Sequence, residues 1–274
     1  MSSEITSVII AYNEESLLRH TLAPIKSISN QVIIVDMGSS DESHSIYDEI
    51  LDKDDLVLNY RRENLYDFGF AHPRNYGAKR AKTEWILAID CDEYINAADF
   101  IAAKSILETT KTNAFDLTRL NYVKTPDFDL TNIGTIIESA EKRIESHRRL
   151  YRNTPRVRWE GMIHEELWVG DINAYFDCEP FPVPLHHLNQ FKEGESAHTK
   201  FGLYSYLTLQ AIIFPCLRYG TNDFWFTEFP KQSLEAMLNA SRDFATLIQL
   251  PQLDEDVIRK QLGEDQLKAS SDNA

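Results

Sequence analysis

Short apolar runs, each stopped by a knot of polar residues, recur through the first ninety positions of the chain. TSVIIA (6–11), QVIIVD (31–36), residues 56–60 and WILAID (85–90) have the length and β-branched content of buried strands. Between them the apolar positions take helical spacing. Asn13, Glu14 and Glu15 open a segment that carries Leu17, Leu18 and Leu22 toward Pro24. Gly38, Ser39, Ser40 and Asp41 supply a turn and an N-cap for a segment with Ile46 and Ile50, and 71–81 reads as a helix with Pro73 in its first turn. Strands alternating with helices predict an α/β fold with a Rossmann-like parallel sheet and crossover helices. Tyr12, Asn13, Asp36, Asp90 and Asp92 then fall along the carboxyl edge, where open sheets bind ligands.

The pattern loosens afterwards. Residues 100–107 have helical spacing, 114–123 read as an antiparallel strand, and the polar stretch 124–146 is expected as a mobile loop. Further strands are expected at 148–152, 163–169, 174–176 and 182–187. From about Glu195 the chain turns helical and aromatic, ending in a charged tail after Gln252. Two domains follow: 1–190 with the sheet, and a helical, aromatic-rich extension over 191–274.

Composition narrows the function classes. The 274 residues, 43% hydrophobic and without a repeat, suffice for a large core. A net charge of -15 disfavours nucleic acid as the main partner, although a cleft can be basic on an acidic body. Cys91, Cys178 and Cys216, odd in number and far apart, suit a reducing, cytoplasmic setting better than a disulfide framework or a zinc site. The opening MSSEITSVIIAYNEE has an early acid and too short an apolar run for an export signal. FGLYSYLTLQAIIFPCL (201–217), interrupted by Ser, Thr, Gln and Pro, reads as a buried or interfacial helix, so no transmembrane segment is expected. Its aromatics, with NDFWFTEF (222–229), suit packing against the main domain, sugar stacking or a homodimer interface.

Four stretches carry candidate chemistry. In WILAIDCDEY, Asp90 and Asp92 alternate and would converge on one face if the strand stayed extended, offering oxygen ligands to Mg²⁺ or Mn²⁺. The solvated end of a strand is the alternative, and Glu93 is expected to be a bystander. In SVIIAYNEE, the polar residues past Ala11 can stack on a base and bind a ribose, or simply start a helix. Asp36 ends a buried strand, where an ion needs a partner: a base N–H, a ribose hydroxyl, a serine or a backbone amide. In FGFAHPRNYGAKRA, Arg74 lies in the first turn of a helix with Lys79, Arg80 and Lys82 beyond it, a place suited to a diphosphate.

Taken in order, SVIIAYNEE, VIIVDMGSSDES and FAHPRNYGAKRAKTEWILAIDCDEY resemble the nucleotide-binding half of family-2 glycosyltransferases of the GT-A fold. RLYRNTPRVRWEGMIHEEL resembles the acceptor-side segment of a subgroup that includes lipopolysaccharide-core glucosyltransferase-like and peptide S-glycosyltransferase-like enzymes. The likeness covers about Thr6 to His187. It implies a mixed, mainly parallel sheet flanked by helices and a non-processive, inverting transfer of a sugar from a nucleoside-diphosphate sugar, with UDP favoured. The acceptor stays open among saccharide, lipid-linked saccharide, peptide and modified base. Tyr12 and Asp36 would hold the base beside Ala11 and Asn13, Glu14 the ribose, and Arg74 the diphosphate. Asp90 would contact ribose or metal, and Asp92 a divalent Mn²⁺ or Mg²⁺. Cys91 stands where a small residue such as Ala is commoner, and the Gln-x-x-Arg-Trp of processive synthases is absent. Apart from the resemblance, PVPLHH reads as a buried strand opening onto polar groups. His186, which follows the apolar run, or else His187, is a candidate to complete the metal shell, a structural histidine being the alternative.

For the catalytic base, WEGMIHEEL offers His164, Glu165 and Glu166. In an extended segment 164 and 166 share a face and 165 takes the other; Glu165 is favoured as base, with His164 a cleft or metal residue. Two other classes stay open. A nucleotidyltransferase should show a Gly-rich phosphate loop, which is not seen. A non-catalytic nucleotide-binding or scaffold protein is discouraged by Asp36, Arg74, Asp90 and Asp92 occurring together.

Overall fold

The computed structural model describes residues 3–124, 130–192, 197–214 and 231–271. Two compact units divide the chain: Met1–Asn64 with Pro73–Arg158 and Leu167–Glu193, and Leu65–His72 with Trp159–Glu166 and Gly194–Ala274.

The first unit is built on strands β1 (Ile5–Ala11), β2 (Gln31–Asp36), β3 (Leu56–Asn59), β4 (Trp85–Ala88), β5 (Glu93–Ile95), β6 (Ala114–Tyr122), β7 (Lys142–Arg152) and β11 (Glu179–His187). They form one sheet in the order β3-β2-β1-β4-β7-β6-β11-β5. The first four strands in that order are parallel. β7 runs antiparallel to β4 and β6, while β11 is parallel to β6 and antiparallel to β5. The fold is therefore a mixed, mainly parallel α/β sheet flanked by helices. Shorter strands β8 (Val157–Glu160), β9 (Glu166–Val169) and β10 (Ile172–Asn173) make a separate three-stranded sheet.

Alternation divides the faces of the large sheet. Ile5, Ile9, Val32, Ile34, Trp85 and Leu87 share a core with Leu18, Leu22 and Ile25 of helix α1 (Glu15–Ile28). On the other face, helix α4 (Ala71–Ala78) comes so close that a Cβ on Gly77 would lie 2.5 Å from Val8 and 2.9 Å from Val35. Only glycine fits there, and it seats on the sheet the helix that carries Arg74.

Several elements differ from the sequence pattern. Helix α1 passes through Pro24 to Ile28, because the buried Ile25 and Ile28 anchor it beyond the lost backbone bond. Helix α2 (Ser43–Ile50) takes Glu42 rather than Asp41 as its N-cap residue. Helix α3 (Glu63–Phe68) had no signal of its own, and α4 ends at Ala78 instead of 81. The segment at 100–107 divides into α5 (Ala97–Ala103) and α6 (Ile106–Thr109). The supposed loop at 124–146 contains α7 (Ile133–Ser139) and the start of the long strand β7, whose first five residues are exposed on both faces and so carry the composition of a loop. The strand expected at 174–176 is a 3-10 turn, started by the Asn173 side chain accepting from the Tyr175 amide.

In the second unit, α8 (Ala197–Ile213), α9 (Lys231–Leu247) and α10 (Glu255–Ser271) supply the helices. Leu207, Leu209 and Ile212 are buried with Tyr66, Met162 and Phe244 in a core of their own. Gly69, at φ +70°, packs so tightly on the Met162 backbone that no side chain fits. Among the described residues no helix is long and apolar enough to cross a membrane. Cys216, residues 215–217 of the aromatic run and NDFWFTEF lie outside the described residues.

Candidate active site

The parallel register places Ala11 opposite Asp36, so the loops leaving β1 and β2 emerge side by side. Side chains lace them together. Asn13, held at φ +52°, donates its amide to Ser39 Oγ and accepts from the Ser40 amide on Oδ1. The Glu14 amide donates to Ser43 Oγ, the Glu15 amide to Asp41 Oδ2, and the Glu42 amide to Glu15 Oε2. Asn13, whose short side chain tolerates the left-handed region, is therefore a loop organiser.

Asp36 is 1% exposed. Its Oδ1 accepts from the Gly38 and Ser39 amides at 2.9 and 2.8 Å, and its Oδ2 from the Tyr47 hydroxyl at 3.0 Å. Of the partners open to it in the sequence, the structure supplies backbone amides, and it adds a buried phenol that the sequence does not suggest. Burial, with Cys91 and Asp36 adding, pushes the Tyr47 phenol well above its usual range, so the tyrosine stays a donor. Tyr12 stands beside this turn with the Arg62 guanidinium over its ring at 3.1 Å, and Glu14 pairs with Lys192 at 2.7 Å.

The WILAIDCDEY segment departs most from expectation. Extended pairing ends at Ala88, and residues 90–93 form a turn in which the Glu93 amide donates to the Asp90 carbonyl at 3.0 Å. Asp90 and Asp92 therefore do not converge by strand alternation. Asp90 is gripped by Arg74 Nη1 at 2.8 Å and by Arg149 Nη2 at 2.6 Å. Burial acts to raise its pKa, but the Arg149 and Arg74 guanidinium groups prevail and hold the carboxyl far below the ordinary range.

Glu93 is no bystander. It is fully buried, accepts from the Asp90 amide at 3.0 Å and from Arg149 Nη2 at 3.2 Å, and faces Arg119 at 3.6 Å. Burial pushes its pKa up against the pull of Arg149. Cys91 sits in the core at 2% exposure, its thiol donating to the Ile10 carbonyl at 3.4 Å, as a small hydrophobe would pack.

The antiparallel pairing of β11 with β5, His187 opposite Glu93, brings His187 Nε2 to 3.3 Å from Asp92 Oδ2, and the Leu188 amide donates to the Asp92 carbonyl at 2.7 Å. His187 Nδ1 is fixed by Asn121 Oδ1 at 2.6 Å. His186 turns the other way. It is 5% exposed, stacked on Tyr122 and hydrogen-bonded to its hydroxyl at 2.7 Å, and burial lowers its pKa to about 4. The structure thus brings His187, rather than His186, to Asp92.

Among the described residues no group of three or more His, Cys, Asp or Glu side chains is gathered as a complete metal cage. Asp92 with His187 is an oxygen and an imidazole donor side by side, which fits a divalent ion whose remaining ligands come from substrate phosphates and water. Asp90, committed to two arginines, fits that role less well.

The three candidates for a base lie in the second unit. His164, at φ +52°, is in a bend, and β9 starts only at Glu166. Residues 163–165 are therefore not strand, and the face alternation expected for 164–166 does not hold.

Arg149, Arg119 and Arg62 are not among the residues that the sequence pattern singles out. The signal for Arg149 was available: HRRLYR puts charge on a strand that continues into buried Leu150 and Tyr151, and a cation there needs a buried partner.

The profile of the family described as Glycosyl transferase family 2 matches residues 6–160. The SPbeta prophage-derived glycosyltransferase SunS of Bacillus subtilis (strain 168) is 24% identical over 162 residues, covering 59% of this chain and 34% of that protein. A TPR repeat-containing protein of Synechococcus elongatus is 26% identical over 192 residues, 68% of this chain and 42% of its own length. The chain thus spans less than half the length of either relative. Among solved structures, S. aureus TarS 1-349 in complex with UDP aligns over 96% of this chain and 89% of that chain at 16% identity, with a TM-score of 0.45.

Proposed function

The chain belongs to glycosyl transferase family 2, and from that premise we propose that it is a non-processive, inverting glycosyltransferase that uses a nucleoside-diphosphate sugar, with UDP as the donor nucleotide. The single observation that carries the site assignment is the meeting of Asp92 with His187 at 3.3 Å, on a turn whose Asp90 is clamped by Arg74 and Arg149. This turn follows β4, the direct neighbour of β1 in the sheet, at the carboxyl edge favoured by ligands of α/β folds.

In this reading the base lies against Tyr12 beside the laced loops, Glu14 meets the ribose, and Arg74 serves the diphosphate. Asp92 and His187 would hold Mn²⁺ or Mg²⁺, which when bound neutralises charge on the departing diphosphate. An acceptor nucleophile attacks the anomeric carbon from the side opposite the diphosphate. The new bond forms as the sugar–phosphate bond breaks, the diphosphate leaves with the electron pair, and Glu165 takes the acceptor proton. One displacement inverts the anomeric centre.

Calorimetric titration of UDP into the purified protein tests the reading. Binding should be tighter with Mn²⁺ than with chelator, and Asp92→Asn should abolish most of that difference. Equal binding under both conditions refutes the metal role. A panel of nucleotide sugars, scored by slow hydrolysis, identifies base and sugar.

A further inference from the structure

We infer that Glu93 and Arg149 are positioning residues for the donor site: together they fix both the backbone and the carboxylate of Asp90, and so the turn that presents Asp92. This rests on the reading of that turn as the donor end of the site. Three contacts close a ring. The Asp90 amide donates to Glu93 Oε2 at 3.0 Å, Arg149 Nη2 donates to Glu93 Oε1 at 3.2 Å, and the same Nη2 donates to Asp90 Oδ2 at 2.6 Å. Glu93 thus holds Asp90 twice, directly at the backbone and through Arg149 at the side chain.

The backbone is shaped for this. On β7, Leu150 pairs with Phe115 and Arg148 with Asp116, so Arg149 is the extra residue of a β-bulge. A bulge re-aims one side chain out of the regular alternation, and such features gather beside active sites. The ring is also buried: Glu93 is 0% exposed and Arg149 4%. A buried ion pair contributes little net stability compared with apolar residues of similar volume. Geometry, not stability, is therefore the use that accounts for a carboxylate and a guanidinium here. Arg119, 3.6 Å from Glu93, continues the chain of charges outward to Glu145.

The test measures UDP affinity by calorimetry with Mn²⁺, UDP-sugar hydrolysis and thermal unfolding for wild type, Arg149→Lys, Glu93→Gln and the double variant Glu93→Gln/Arg149→Met. The double variant removes both charges together and leaves no ion buried alone. Loss of an orienting partner costs about 10- to 100-fold in affinity or activity, and that loss is expected for Glu93→Gln and the double variant. Arg149→Lys, which keeps the charge on a shorter-reaching donor group, should lose less than the double variant. Glu84→Gln, which removes the exposed partner of Arg152, is the ion-pair control and should bind UDP as the wild type does. A folded double variant with wild-type UDP affinity and hydrolysis overturns the inference alone. Failure of the wild type to bind UDP overturns the donor-site reading and this inference with it.

Discussion

Arg62 holds its guanidinium carbon 3.1 Å from the centre of the Tyr12 ring, so the aromatic that follows β1 already belongs to a stack. The face of an aromatic ring receives a guanidinium or a flat base through related electrostatic and dispersion forces. Tyr12→Ala is expected to weaken UDP binding by about 1–3 kcal/mol, the range for loss of one base–aromatic stack. Tyr12→Phe should retain it. An unchanged dissociation constant in Tyr12→Ala would remove this residue from the base site.

The two histidines ending β11 should separate cleanly. His187, 3.3 Å from Asp92, is expected to matter to metal, so His187→Ala should reduce the Mn²⁺-dependent part of UDP binding. His186 is engaged with Tyr122, and His186→Asn should leave that part intact. Mn²⁺ titration at fixed UDP checks both, and the reverse result would transfer the ligand role to His186.

Glu165→Gln is expected to keep UDP binding and lose transfer by about 10²–10⁴-fold, the usual contribution of a general base. Glu166→Gln, prepared in parallel, decides between neighbours. If that variant alone loses turnover, Glu166 is the base.

Acid should destabilise the fold through His186. Its folded pKa is lowered from 6.5 to about 4 by burial, so the unfolded chain takes up the proton first as pH falls. Stability from the buried neutral ring is present above about pH 6.5 and is lost progressively down to about pH 4, by up to about 3 kcal/mol. Thermal midpoints across that window should fall less steeply in His186→Asn, whose side chain can still accept from Tyr122 but does not titrate. Parallel slopes would exclude His186 as the source.

Gly77 is a packing requirement on the helix of Arg74. A Cβ there would meet Val8 at 2.5 Å and Val35 at 2.9 Å, so Gly77→Ala should destabilise by about 1–3 kcal/mol despite the better helix propensity of Ala. Chemical denaturation measures this, and an unchanged midpoint would show that α4 can lift at no cost.

Much of the first unit was legible because its signals are local. The runs TSVIIA and QVIIVD became β1 and β2, and the polar residues after them were correctly referred to one sheet edge. Long-range pairing was not legible. The polar stretch before Arg148 gives no sign that β7 sits between β4 and β6, because the first five residues of β7 are exposed on both faces and so carry the composition of a loop. The helical pattern runs only to the region of Pro24, yet the core holds the helix on both sides of it.

At the site the division is sharper. Sequence alone determined which chemical groups are present and which loops carry them: an aromatic and an asparagine after β1, an aspartate ending β2, an arginine on α4, and the acids of DCDE. Tertiary structure alone decided what each acid does. Asp90 became the clamped carboxylate because a bulge inserts Arg149 into β7, and Glu93 became its holder because burial left it an amide and two guanidinium groups as partners. Asp92 met His187 and not His186 because the pairing of β11 with β5 fixes which ring faces the turn. The parity of a strand, and the partner to which a buried charge is bound, depend on contacts between segments far apart in the chain.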